Sequence, residues 1–214
     1  MKRDCMFFVA DSNMAETFKG FLTRSHFHQS LGCGAFAFDP LKDIRHAGGV
    51  YDSLHTQAGY LLRGYQTTHN KLVVAQDCSF SGSPGQAAIL ANVRRQLQSV
   101  GWADSAFIVL AIDPELEQWI WQDSVHVEAV LKHTRPPSLR EMLEQQGRWP
   151  KGKPKPLLPK ETLQAVIDNN RGLRRSSAIY GEISCKVSVK NCKDSEFQRL
   201  VAQLRAWFPP ETPT

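Results

Sequence analysis

The chain has 214 residues, 42% of them hydrophobic and 22% charged, the balance of a folded globular protein with one large domain or a domain and an appendage. No apolar run approaches the roughly 20 residues of a membrane span, and five cysteines without a C-x-x-C pair indicate neither a disulfide framework nor a zinc site, leaving buried free thiols as the expectation. The formal net charge of +5 points to a polyanionic partner, and its position sharpens the point: eleven Lys and Arg face four acids between Lys132 and Arg175.

The N-terminal MKRDCMFFVAD begins like a secretory signal, but its apolar run is short and Asp11 closes it without a small-residue cleavage site. It reads instead as a first strand, Met6–Ala10, in a cytoplasmic protein. Asn13-Met-Ala-Glu16 then resembles a capping box, followed by a one-sided helix face of Met14, Phe18, Phe21 and Leu22. Gly32–Phe38 alternates small and aromatic residues and predicts a second strand, ended by Asp39-Pro40. Lys42–Gly49 reads as polar and turn-rich. Leu54, Ala58, Leu61 and Leu62 predict a helix within Tyr51–Tyr65.

Leu72–Gly85 is the most informative stretch. Leu72, Val73, Val74 and Ala75 run into Gln76-Asp77 and then into serine, glycine and proline, the pattern of a buried parallel strand delivering its C-terminal end to a loop. In open α/β sheets that end is where ligands and catalytic groups collect. Two readings of Asp77 are open there: a metal ligand or general base, and an Asx turn closing the strand.

Gln86–Val100 predicts a helix through Ile89, Val93 and Leu97. Phe107–Ile112 is the most apolar strand. It opens into Asp113-Pro114, with Pro114 expected at a first helical position and Asp113, Glu115 and Glu117 at the positive end of that helix's dipole. Alternating strands and helices predict an α/β fold, a mostly parallel sheet with helices on both faces, over residues 1–134. A basic, mainly helical region over 135–214 is expected to pack on it. There Ser138-x-x-Glu141 forms a capping box, Lys151–Lys160 is a proline-rich strap, and helices follow over Lys160–Asn170, through Ile179, Ile183 and Val187, and over Asp194–Phe208. Pro209-Pro210 stops the last, and the final residues are expected to be loose.

Three strand ends thus carry acids: Asp11, Asp77 and Asp113, with Glu115 and Glu117 close by. Carboxylates on neighbouring strand ends share a hard divalent cation such as Mg²⁺ when at least two of them meet, and they cap helices when they do not. No nucleophile elbow or phosphate loop is present. His26 and His28 read as solvated and Trp119 as core. Arg171, Arg174 and Arg175 around Ser176-Ser177 read equally as a phosphate clamp at a helix start and as a solvated basic turn.

Over roughly the first 130 residues, the strand-1 turn, the Asp77 loop and the DPELEQW segment resemble the TOPRIM-like fold of topoisomerase and primase active domains and of overcoming-lysogenisation-type nucleases. The chain is most similar to small stand-alone TOPRIM-like proteins of bacterial antiphage defence loci, including the methylation-associated defence system, and its tail from Arg174 to Pro209 also suits that subgroup. The family binds Mg²⁺ through a Glu ending strand 1 and a D-x-D followed by Glu and Gly. Asp11 stands at that first Glu, Asp77 at the first Asp and Gly82 at the Gly. Ser79 and Ser81 replace the second Asp and the following Glu, and a hydroxyl is a far weaker Mg²⁺ ligand than a carboxylate.

The resemblance implies Asp11, Asp77, Glu115 and Glu117 as metal ligands, the first three catalytic in phosphodiester hydrolysis, with Arg171, Arg174, Arg175, Lys153 and Lys155 on nucleic acid. Other defence proteins are the further partners implied. The rival expectation is a catalytically degenerate subunit that binds nucleic acid or protein.

Overall fold

The structure, a computed structural model, describes residues 1–48, 51–190 and 192–210, with the backbone alone for 51–53. Four strands form one sheet: β1 (Arg3–Val9), β2 (Ile44–His46), β3 (His69–Asp77) and β4 (Phe107–Ile112). They lie in the order β2-β1-β3-β4, and every neighbouring pair is parallel. Parallel strands need crossover connections, and the helices that supply them cover both faces. The near-continuous apolar runs of β3 and β4 follow from that double burial.

The register sorts the strand residues into two cores. Ile44, Phe7, Val73 and Ile108 form one row across the sheet. Their face is covered by α1 (Ser12–Leu22), α2 (Phe27–Leu31), α5 (Glu117–Ile120), α6 (Val125–Val130), α7 (Leu139–Gln145), α8 (Pro159–Asp168), α9 (Ser177–Lys186) and α10 (Ser195–Trp207). The row Phe8, Val74 and Val109 points the other way, under α3 (Tyr51–Leu62) and α4 (Gln86–Ser99). Each fully buried Phe, Leu, Ile or Val contributes about 1.5–3 kcal/mol relative to exposure. The first core takes residues from both 1–134 and 135–214, so the C-terminal helices close the sheet's face.

α1 crosses α9 closely because small residues meet. A Cβ on Gly20 would stand 2.6 Å from Gly181 O and 2.6 Å from Ser184 Cβ, so only glycine permits this approach. Arg24 fastens the same crossing, donating to Val187 O at 2.6 Å and to Ser184 O. At the N-terminal edge of the sheet, fully buried Asp43 accepts both prongs of the Arg3 guanidinium and the Asp39 N–H, and His69 Nε2 lies 3.2 Å away.

Several sequence expectations are corrected. Gly32–Phe38 is not a strand: Phe36 and Phe38 pack on the ring of Phe7, and the backbone is bonded outside any ladder. Gly34 N–H donates to Phe208 O at 2.7 Å and Ala37 N–H to Asp4 Oδ2 at 2.7 Å. The alternation there reports aromatic packing. The second strand lies instead in the stretch read as turn-rich, because Ile44–His46 finds the free edge of β1. Helix α1 begins at Ser12 with Asp11 as N-cap, so Asn13 and Glu16 form no capping box; Glu16 pairs with Lys19 at 2.7 Å. The helix expected from Pro114 starts only at Glu117 and is four residues long, and the Leu116 N–H before it donates to Asp77 Oδ1. The capping box of Ser138 and Glu141 is present. Gly49 and the tail 211–214 lie outside the described residues.

Candidate functional site

The chain leaves β1 in one direction across the sheet and β3 in the other, so the crevice at their C-terminal ends is the topological switch point, where open α/β sheets place ligands. Asp77 ends β3 there, and Asp11 follows the neighbouring, hydrogen-bonded β1 by two residues. The register aligns Val9 with Ala75, and Ala10 N–H donates to Ala75 O at 3.0 Å. The loops after β3 and β4 are zipped together: Cys78 N–H bonds Ile112 O at 2.8 Å and Ser79 N–H bonds Pro114 O at 2.9 Å. That zipper carries Glu115 and Glu117 towards Asp77.

Each acid has a local commitment. Asp11, half-buried, accepts Met14 N–H at 2.9 Å and so caps α1. Asp77 is 5% exposed and its Oδ1 accepts Leu116 N–H at 2.9 Å. Glu115 accepts Lys160 N–H at 2.9 Å, with Lys160 Nζ 3.8 Å from its other oxygen. Glu117, 2% exposed, accepts the Tyr180 hydroxyl at 2.5 Å, while its Oε2 is buried without a hydrogen-bond partner.

The cluster is electrostatically strained. Burial pushes the Asp77 carboxyl well above the usual carboxylate range, and Glu117 and Asp11 push it further, against the opposing pull of Lys160 and the Leu116 N–H. Burial, then Glu117, likewise raises Glu115. Tyr180 is raised by burial and by Glu117, so it stays a hydroxyl donor. Like charges gathered out of water, with one open oxygen, hold protons or attract cations.

The basic residues divide among separate places. Arg171, Arg174 and Arg175 are exposed on the segment leading into α9, whose N-cap Ser176 makes no side-chain capping bond. Arg175 bonds Gln164 and also approaches the Tyr180 hydroxyl, which brings one arginine to the edge of the acid cluster. Arg171 lines a cleft with Lys132 and Arg135. Lys153 and Lys155 line a different one, and Lys155 donates its ammonium to Trp121 O. Trp119 is core as expected, and Trp121 is buried too, stacked edge-on against Trp149. Of the five cysteines, Cys5, Cys33 and Cys78 are buried, whereas Cys185 is exposed and Cys192 half-buried.

Of the four acids named from the sequence, Glu117 and Asp11 act electrostatically on Asp77 and Glu117 acts on Glu115, while Tyr180 and Lys160 are missed. Neither carries a signal: Tyr180 reads as one more apolar position of a helix and Lys160 as one cation of a strap. Gln76 is also missed. It is 2% exposed with neither amide atom hydrogen-bonded, on the α3 and α4 side of the same crevice.

A divalent cation in this crevice would need several open carboxylate oxygens. The residues present do not fit one as they stand. Three of the four acids spend an oxygen on a backbone N–H, and Ser79 and Ser81 are exposed hydroxyls. Among the described residues no three His, Cys, Asp or Glu side chains form a group that could hold a metal ion. No helix among them is long and apolar enough to cross a membrane. No protein-family model, curated protein or solved structure matches the chain.

Proposed function

We propose that the chain is a cytoplasmic, TOPRIM-like component of a bacterial antiphage defence system that engages nucleic acid as a binding subunit, together with other proteins of that system. The observation that carries this reading is the juxtaposition at the switch point: strand-end acids of a parallel sheet beside Arg175, with Arg171 and Arg174 exposed on the same segment. Arginine forks on an uncapped helix start suit phosphate oxygens. The neighbouring acids repel a phosphate that strays off that line, which gives the backbone one register. Binding without chemistry is favoured by the hydrogen bonds that occupy Asp11, Asp77 and Glu115, and by the two serines in the Asp77 loop.

The test is a salt titration. Affinity for nucleic acid should fall steeply with salt. Reversing the charge of Arg174 and Arg175 should weaken binding alike for all sequences and flatten the salt slope. Unchanged binding removes the segment from the interface.

A second reading, a Mg²⁺-dependent nuclease, is favoured by one observation, the unpartnered Oε2 of Glu117 amid like charges. It requires a melting temperature that rises with millimolar Mg²⁺ or Mn²⁺ and loses that rise in Asp77→Asn. A melt indifferent to both ions, with and without nucleic acid, discards it.

A further inference from the structure

Away from the strand ends, a cleft of about 890 Å³ opens between the strap that contains Lys153 and Lys155, the segment after α5, and the chain leading into α10. Lys155 is its unusual member. It is half-buried in the cleft wall, its amine donating to the Trp121 carbonyl, and Cys192 and Asp194 of the same cleft act on it electrostatically. Asp194 Oδ1 accepts both Trp119 Nε1–H and Phe197 N–H at 2.9 Å. Arg140 in the same cleft is likewise paired with Glu144 at 2.6 Å. The exposed Lys153 and Lys193 remain at the mouth, with the exposed carboxylate of Asp123.

We propose that this cleft is a carbonyl-binding site in which Lys155 forms a Schiff base with an aldehyde carrying phosphate, the phosphate lying against Lys153 and Lys193. The step balances: the free amine of Lys155 adds to the carbonyl carbon, the carbinolamine oxygen leaves as water, and a C=N bond replaces C=O with no oxidant or reductant. Burial lowers the basicity of Lys155, which favours the uncharged, nucleophilic form of its amine. A half-buried amine in a cleft with cations at its rim is the arrangement such chemistry needs.

Two sources share this ligand chemistry. One is a small phosphorylated aldehyde. The other is the ring-opened sugar of a nucleic acid that has lost a base, and that source alone rests on the nucleic-acid reading above.

The experiment treats the full chain at neutral pH with pyridoxal 5′-phosphate and, separately, with an oligonucleotide carrying one abasic site. Each is reduced with borohydride and mapped by peptide mass spectrometry. Lys155 should carry the label at least about tenfold above any surface lysine, the margin that separates a built site from scatter among solvated amines. Lys155→Arg, which keeps the charge facing Trp121 O but cannot form an imine, should lose it. Labelling spread over Lys151, Lys153 and Lys193 with Lys155 unmodified overturns the proposal, and that result is read on the wild-type chain whatever the variant does. Trapping by the oligonucleotide assigns the nucleic-acid source; trapping by the small aldehyde alone assigns the other. Binding of an intact oligonucleotide, measured in parallel, reports on the earlier reading independently.

Discussion

Asp77 faces two demands that conflict. Its Oδ1 is needed to hold the Leu116 N–H, and its charge is opposed by burial and by Glu117 and Asp11. An acid whose folded value is raised contributes stability fully below its unfolded value of 3.8 and loses it as pH rises through the folded one. Asp77→Asn keeps the acceptor and removes the charge. In the metal-free protein at pH 7 to 8 it should therefore raise stability by about 1 kcal/mol, a gain of roughly 2–4 °C in melting temperature. The gain over wild type should shrink as pH falls, because Asp77 then takes up its proton. A lower melting temperature at pH 8 than wild type would mean that the charge itself is used in the fold. Tyr180 is the partner to change next. Tyr180→Phe leaves Glu117 without its donor in a dry site and should cost about 1–3 kcal/mol by urea unfolding.

At the scale of elements, the α1 and α9 crossing depends on one missing methyl group. Gly20→Ala puts a Cβ against the Gly181 carbonyl and Ser184, and overpacking of that kind costs about 1–3 kcal/mol. Gly64→Ala, which meets nothing within 4 Å, serves as the control and should shift the denaturation midpoint little. The N-terminal ends of β1 and β3 are tied to the Asp39–Asp43 loop by a different device. Burial raises Asp43, but the Arg3 guanidinium, the Asp39 N–H and His69 outweigh it and hold the carboxyl below its ordinary range. Burial lowers His69 below 6.5, against the pull of Asp43. Both folded values are depressed, so both contributions are present at neutral pH and drain away as pH falls, His69 first and Asp43 below it. Urea midpoints measured from pH 7.5 to 4 should fall steadily in the wild type. Asp43→Asn should flatten that profile and lower the midpoint at neutral pH, because Arg3 and His69 lose their charged acceptor.

For the whole molecule, the boundary near residue 134 is a change in composition and leaves one core. The sheet face built by Phe7, Val73 and Ile108 is closed by α9 and α10 as much as by α1. A chain cut after Thr134 would expose that face and the Gly20 side of α1. It should give a broad, probe-dependent thermal transition where the full chain gives a single cooperative one. A sharp, reversible transition in the truncated chain would establish an independent N-terminal domain.

The local pattern of residues determined the strands around Met6, Leu72 and Phe107, the helices from Gln86 and Asp194, and the capping box at Ser138. In each, the apolar period and the stop residues lie within one element. It also placed Asp11 and Asp77 where strands end, whereas the side-by-side pairing of those strands was decided by the sheet. Partners distant in the chain decided the rest. Gly32–Phe38 lost its strand because Phe7 and Phe208 claimed its rings and its backbone, and Ile44–His46 gained one because β1 had an open edge. Glu117 faces Tyr180 and Glu115 faces Lys160 across 63 and 45 residues of sequence. No period or spacing encodes such meetings: they depend on which helix covers which face of the sheet, and that is settled only when the core closes.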